Sequence, residues 1–325
     1  MTISDELTRI QNAKSALKTS IENKGVTVSD STLISGYAAL VDQIQTGGGG
    51  GQAEEVLKNL IERDITSITI PSGTTKIGDS VFKGCTGLTS ITIPDSVTSI
   101  GQDAFRGCDS FPVENYIRYA DTVALELTDN TQTTYTLKTR TRFINDSLFY
   151  GCRDITNINI PNGVISIGKY AFYYCAGLTS VTIPDTVTNI DNGAFGACTS
   201  LTSINIPNGL TNINNEVFAS CSGLTSITIP DSVTSIGNTV FSRCTSLTSV
   251  TIGSGVASIG SSAFYGCSRL TSVTIQATTP PTLANANAFQ NTNTNLIIYV
   301  PAASVNAYKA ATNWSAYASR IQAIS

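Results

Sequence analysis

Between Leu88 and Cys108 the chain reads Leu-x-x-Ile-x-Ile-Pro-x-x-Val-x-x-Ile-Gly-x-x-Ala-Phe-x-x-Cys, and this frame of apolar positions returns along most of the sequence. The cysteines mark it: Cys85, Cys108, Cys152, Cys175, Cys198, Cys221, Cys244 and Cys267 stand 23 residues apart except for one gap of 44. A fixed period of this length signals a solenoid, because one unit cannot bury its own apolar face but stacked units can. Within the unit Ile91 and Ile93 alternate with Ser90 and Thr92, the two-residue rhythm of a short strand with one face inward. Pro94 lacks the amide that a ladder needs and ends the strand. Val97, Ile100, Ala104, Phe105 and Cys108 follow at spacings that predict a helical or 3₁₀-like return facing the core. The frame predicts nine stacked strands, at Ile68/Ile70, Ile91/Ile93, Tyr135/Leu137, Ile158/Ile160, Val181/Ile183, Ile204/Ile206, Ile227/Ile229, Val250/Ile252 and Val273/Ile275, with Ile297/Ile298 a tenth. The expected class is an α/β repeat, residues 65–295, with a parallel sheet on one face.

The rhythm breaks in two places. The long cysteine gap is one repeat plus 21 residues, from about Pro112 to Thr131. Apolar alternation on either side of Ala120-Asp121-Thr122 predicts a β-hairpin projecting from the solenoid, read either as a contact element or as a loop packed on its neighbours. After Cys267 the pattern loosens through Pro280-Pro281 and Asn285 to Asn295. Residues 296–325 are then expected to cap the open end, with a helical stretch carrying Val305, Tyr308, Ala311, Trp314, Tyr317 and Ile321, and with Trp314 in the cap's interior.

Residues 1–46 follow another rule. Ile3, Leu7, Ile10, Leu17 and Ile21, with Lys14 in the same seam, step by four and three as a heptad does, and Leu33, Tyr37, Leu40, Val41 and Ile44 mark a second helix. Two helices this short need copies of themselves or a larger body to pack on, so an anchoring, homo-oligomerising segment is expected. A glycine linker, 47–52, has no following Lys-Ser or Lys-Thr and so is a tether, not a phosphate loop. Val56, Leu57, Leu60 and Ile61 then predict a cap helix over 53–64.

The Ile-Pro after each strand and the Ala-Phe-x-x-Cys on each return resemble the BspA-like leucine-rich-repeat family of bacterial surface proteins, over about residues 65–325. The wording from Ser4 to Ile44, with Asp-Glu-Leu-Thr-Arg-Ile-Gln-Asn-Ala-Lys and Lys-Gly-Val-Thr-Val, resembles the N-termini of bacteriophage and prophage tail-associated proteins. The first resemblance implies a leucine-rich-repeat solenoid that binds; the second implies attachment to a virion tail or baseplate protein.

Composition narrows the function. A net charge of −4, with no Lys/Arg cluster, argues against nucleic acid as a partner. Met1 to Glu6 has neither a basic n-region nor an apolar h-region, so no ordinary secretory signal is expected, and no apolar run reaches the length of a membrane span. With no histidine there is no Ser-His-Asp triad, Cys-His pair or histidine metal site, and no enzyme, metal or cofactor is expected. The cysteines occupy one turn of successive repeats and point one way, which suits buried free thiols and not converging disulfides. Asp95, Asp185 and Asp231 after the prolines are expected to hold turn amides, and Gly101, Gly168, Gly237 and Gly260 to supply positive φ.

Two surfaces remain for recognition. The outward strand positions, such as Ser226/Thr228 and Ser249/Thr251, form small polar columns suited to a flat polysaccharide or to solvent. On the return side the residues among the framework letters vary, and Tyr150, Tyr170, Tyr173 and Tyr174 fall on adjacent turns, either as an exposed cluster or packed flat between turns. With Tyr116, Arg118 and Tyr119 of the hairpin they are the candidate contacts to a bacterial cell-surface glycan or protein. The expected role is a phage-tail receptor-binding protein located on the virion; the alternative is a bacterial surface adhesin, extracellular or on the cell surface.

Overall fold

The computed structural model describes residues 66–324 apart from Pro71. The segments 1–46, 47–52 and 53–64, and with them Ile3, Leu7, Ile10, Leu17 and Ile21, lie outside the described residues. The described residues fall into two compact units, divided between Pro112 and Val113.

In the described part of the first unit, two turns of chain stack. Ser67–Thr69 pairs in parallel with Ser90–Thr92, placing Ile68 beside Ile91, and Lys76–Ile77 pairs with Ser99–Ile100. The rings of Phe82 and Phe105 stack at 5.3 Å, with Phe111 edge-on to Phe105.

The second unit repeats this turn in the same register. Its first wall carries strands at Thr134–Thr136, Asn157–Asn159, Ser180–Val181 and Ser203–Ile204, then at Ser226–Ile229, Ser249–Ile252, Ser272–Ile275, Ile297–Val300 and Ile321–Ala323. Residues one repeat apart face each other, as Val250 faces Ile227 and Val273. The strands expected from the alternation are all present. Where the repeat carries a proline the turn starts from it, while Lys138 and Gly253 hold the position elsewhere: the Pro184 carbonyl accepts the Val187 amide at 3.0 Å, and Pro230 accepts that of Val233 at 3.2 Å. A residue with no N–H of its own thus leaves the sheet and closes the corner with its carbonyl. A second wall of two-residue strands follows, exemplified by Ser166–Ile167 between Phe143–Ile144 and Asn189–Ile190.

The return corrects the sequence reading. No helix forms there; the chain runs as stacked β-turns, so the repeats are β throughout and the α/β expectation fails. The turns bond to the next repeat through a third ladder, in which the amides of Tyr170, Phe172 and Tyr174 donate to the carbonyls of Asn192, Ala194 and Gly196 at 2.7–3.0 Å. Its residues alternate in hand: Tyr170 and Tyr174 have φ of +57° and +60°, and Glu216 and Ser220 of +61° and +59°. A left-handed residue every fourth position cannot sit in an α-helix. Val97, Ala104, Phe105 and Cys108 are buried as their spacing requires, while Ile100 lies in a strand of the second wall.

The core lies inside these three walls. Phe149, Phe172, Phe195, Phe218, Phe241, Phe264 and Phe289 stack ring on ring, 5.0–5.9 Å apart and within 14° of parallel. Beside them runs the cysteine column, all eight thiols free and buried. Six of them, Cys108, Cys175, Cys198, Cys221, Cys244 and Cys267, donate backward to a phenylalanine carbonyl, as Cys221 Sγ does to Phe195 O at 3.1 Å.

Both irregular regions depart from expectation in detail. Ile117–Ala120 and Val123–Leu127 do form an antiparallel hairpin. It does not project, however: Val123 and Ala124 pair in parallel with Phe143 and Ile144, so the hairpin extends the second wall. Ion pairs Arg118–Glu126, Lys138–Glu114 and Arg140–Asp121 hold it at 2.7–3.1 Å. At the C-terminus a six-residue helix, Val305–Ala310, and a 3₁₀ segment, Trp314–Arg320, precede a final strand. Ile321, placed in a helix by the periodicity, belongs instead to that strand, which pairs with Ile297–Val300. Asn313, at φ +65°, breaks the helical run before it. Trp314 is fully buried and its indole donates to Pro281 O at 2.6 Å.

The glycine assignment is also corrected. Gly101, Gly168, Gly237 and Gly260 are absent from the positive-φ residues; a Cβ on Gly260 would collide with the backbone of Gly237, and one on Gly168 would lie 2.6 Å from the Asp146 amide nitrogen. Close approach between repeats is what requires glycine there. The carboxylates behave as expected in kind: Asp231 Oδ1 accepts the Ser254 amide at 2.6 Å, a turn amide of the next repeat.

Candidate functional site

On the turn wall the ladder fixes which side chains face inward, and the residues between them face out. The position two before each cysteine carries Tyr150, Tyr173, Gly196, Ala219, Ser242 and Tyr265 in order along the second unit, with Gly196 and Ser242 buried there. The structure brings the four sequence-predicted tyrosines of this wall together. Tyr150 stacks on Tyr173 at 5.7 Å and 14°, Tyr174 stands perpendicular to Tyr173 at 4.7 Å, and Tyr170 meets Tyr173 edge-on at 5.2 Å. Tyr150 and Tyr174 are about half exposed, at 51% and 44%, whereas Tyr170 and Tyr173 are half-buried. Both sequence readings therefore hold in part: two rings are packed and two are presented.

The neighbouring turn makes this packing possible. A Cβ at Gly193 would collide with the Tyr170 ring, and one at Gly196 would lie 2.5 Å from Tyr173 Cε2. The two rings thus lean over glycines of the next repeat, and the cluster is set by that surface before any ligand arrives. Burial first, then the Tyr174 phenol and the Glu216 carboxylate, raise the Tyr173 hydroxyl above its ordinary value. Lys169 Nζ sits 5.1 Å from the centroid of the Tyr170 ring.

The hairpin candidates fare differently. Tyr119 is buried; its hydroxyl accepts the Lys138 amide at 3.1 Å, and Lys138 Nζ lies 4.3 Å from its ring. It lies on the buried face of its strand with Ile117, two residues before it. The Arg118 side chain is mostly covered and bonded to Glu126 at 2.7 Å. Tyr116 is exposed at a turn with φ +66°.

Sequence reasoning missed a groove of about 320 Å³ further along the same wall, lined by Glu216, Ser220, Thr239, Arg243, Ser262 and Tyr265 among others. The varying letters of the return turns were its signal. A second depression, about 440 Å³, lies at Asn287, Gln290, Tyr317 and Arg320 near the last turn.

Elsewhere the chemistry is quiet. Among the described residues no group of three or more His, Cys, Asp or Glu side chains is placed to hold a metal, and no helix is long and apolar enough to cross a membrane. Burial pushes the Cys152 thiol up to about 11 and those of Cys221 and Cys267 up to about 12, which removes their nucleophilicity near neutral pH. The outward columns of the first wall are exposed hydroxyls and amides, with Thr179, Thr202, Thr225 and Thr248 each bonding to the carbonyl one repeat back at the adjoining corner.

A parallel solenoid with an apolar frame in each turn and a variable outer surface is a leucine-rich-repeat architecture. The sequence profile of the BspA type leucine rich repeat region matches in six copies, over residues 61–175, 127–247 and 165–296. The chain belongs to this family. No curated protein matches it in sequence. Among solved structures it is similar to a leucine-rich repeat protein from Eubacterium ventriosum, at 20% identity and a TM-score of 0.50, covering 70% of this chain and 83% of that one. It is also similar to the leucine-rich-repeat protein TpLRR of T. pallidum (28%, TM-score 0.47, 50% and 80% covered). A third is a leucine rich cell surface protein from Faecalibacterium prausnitzii (26%, TM-score 0.31, 77% and 82%).

Proposed function

We propose that the chain is a non-enzymatic recognition protein of adhesin type, displayed at a bacterial cell surface and contacting a glycan or protein through the turn wall around Tyr150 and Tyr174. The carrying observation is the pair of half-exposed rings held in place by packed Tyr170 and Tyr173. Tyrosine gives large amphipathic contact area with few rotors to freeze, and a cluster already ordered by its neighbours spares the ligand that cost. Membership of the BspA-type family supports surface display over the virion reading. The family match begins at residue 61, so attachment to a tail or baseplate rests on the wording of residues 4–44 alone.

The test is saturable binding of the purified chain to bacterial cells and to matrix-protein-coated surfaces, beside Tyr150→Ala/Tyr174→Ala. A loss of roughly tenfold or more is expected for two central aromatic contacts. Unchanged affinity in the double variant sinks the assignment of this wall. Assembly through Ile3, Leu7, Ile10, Leu17 and Ile21 is part of the same proposal; an oligomer that persists without residues 1–51 would refute it.

A further inference from the structure

Past the tyrosine cluster the wall loses height. After Tyr173 come Gly196, Ala219 and Ser242, and bulk returns only at Tyr265, whose hydroxyl accepts from Asn291 Nδ2 at 2.9 Å. The Tyr173 ring covers Gly196, so the open stretch from that row to Tyr265 is three repeats, about 14 Å at the ~4.8 Å spacing of paired strands. The result is a trough along the stacking direction, with an aromatic side chain at each end and the 320 Å³ groove in its far half.

The chemistry of the trough selects its occupant. The amides of its floor are already used: Ala197, Ser220 and Arg243 donate to Ala219, Ser242 and Tyr265 one repeat on, each at 2.7 Å. Gly196, Ala219 and Ser242 donate to Gly193, Glu216 and Thr239 at 2.9–3.1 Å. A peptide cannot add as a strand to a surface with no free ladder donors. What remains is side-chain chemistry: hydroxyls of Ser220 and Thr239, the Glu216 carboxylate and the Arg243 guanidinium. Both charged groups are exposed and line the groove, and among the described residues neither has an ion-pair partner. Arg243 can take a carboxylate in bidentate fashion, and Glu216 can accept from hydroxyls beside it.

We infer that this trough binds an extended acidic oligosaccharide along the stacking direction, its carboxylate on Arg243, its hydroxyls on Glu216 and the neighbouring side chains, and its far rings against the tyrosines. The inference rests on the surface-recognition reading and names its ligand class. A chain with an acid on every unit would be repelled by Glu216, so alternating acidic and neutral sugars fit best.

The test uses the full chain and calorimetric titration with a panel of tetrasaccharides containing uronate or sialate residues, each beside its carboxyl-reduced counterpart. At least one acidic form should bind roughly tenfold tighter than its reduced partner, as loss of a charge-assisted pair implies. That preference should vanish in Arg243→Gln, and binding should be lost in Ala219→Trp, which fills the floor, with the melting curve unchanged. Two results overturn the inference: no saturable binding by any acidic tetrasaccharide, or the same acid preference in Arg243→Gln as in the wild type. Cell binding that still depends on Tyr150 and Tyr174 when no saccharide binds would remove the ligand class and leave the recognition role. Loss of that dependence while a tetrasaccharide binds would do the reverse.

Discussion

The thiol column should make the protein sensitive to alkali. In the second unit Cys152, Cys175, Cys198, Cys221, Cys244 and Cys267 are buried, and burial raises each thiol, to about 11 for Cys152 and about 12 for Cys221 and Cys267. In the unfolded chain a thiol ionises near pH ~8.5. Above that pH the folded state holds more protons than the unfolded one, so stability falls as pH rises; below it the contribution is fully present. Each thiol costs about 1.4 kcal/mol per pH unit between its unfolded and folded values. Six such thiols remove about 8 kcal/mol per unit, against the 5–15 kcal/mol that holds a domain of ordinary stability. Cooperative unfolding is therefore expected about one to two units above the free-thiol value, near pH ~9.5 to ~10.5. Circular dichroism and thiolate absorbance at rising pH should change together. Thiolate absorbance that grows from pH ~8.5 while the far-ultraviolet signal stays native would refute the reasoning, since the thiols would then be ionising inside the fold.

Three further outcomes follow from packing. Phe218→Ala opens the ring stack between Phe195 and Phe241 and should cost about 3–5 kcal/mol in urea unfolding. Gly260→Ala, whose Cβ meets the Gly237 backbone, should destabilise by about 1–3 kcal/mol or more, with a measurable shift in midpoint. Gly151→Ala meets no atom but sits at φ +73°, so its cost should stay at about 1–2 kcal/mol, set by backbone hand alone; a Gly260→Ala cost below about 1 kcal/mol would count against the close-approach argument.

Much of the fold was legible because strands and cysteines sit at fixed offsets, and burial on one face leaves a two-residue alternation in plain view. The return was not, since apolar residues three and four apart serve a helix and a run of β-turns equally well. What separates the two is the sign of φ, and the sequence hides it: Tyr174, Ala197, Ser220 and Arg243 occupy the left-handed position that Gly84, Gly107, Gly151 and Gly266 hold elsewhere. Reading only the glycines before the cysteines would have located half of that column. The clustering of Tyr150, Tyr170, Tyr173 and Tyr174 followed from repeat arithmetic. Tyr119 was misplaced because it was grouped with Tyr116 and Arg118 by residue type, whereas two-residue alternation puts it on the buried face with Ile117.

The third ladder has an evolutionary consequence. Because the turn wall is bonded backbone to backbone, cohesion between repeats does not depend on its outward side chains alone. A 23-residue cassette can be duplicated or deleted by recombination and still mate with its neighbours, sliding one row of the outer surface past another while the phenylalanine and cysteine columns close up behind it. Such a scaffold lets a lineage redraw what it touches row by row, at a tempo set by selection on the surface and not by the tolerance of the core.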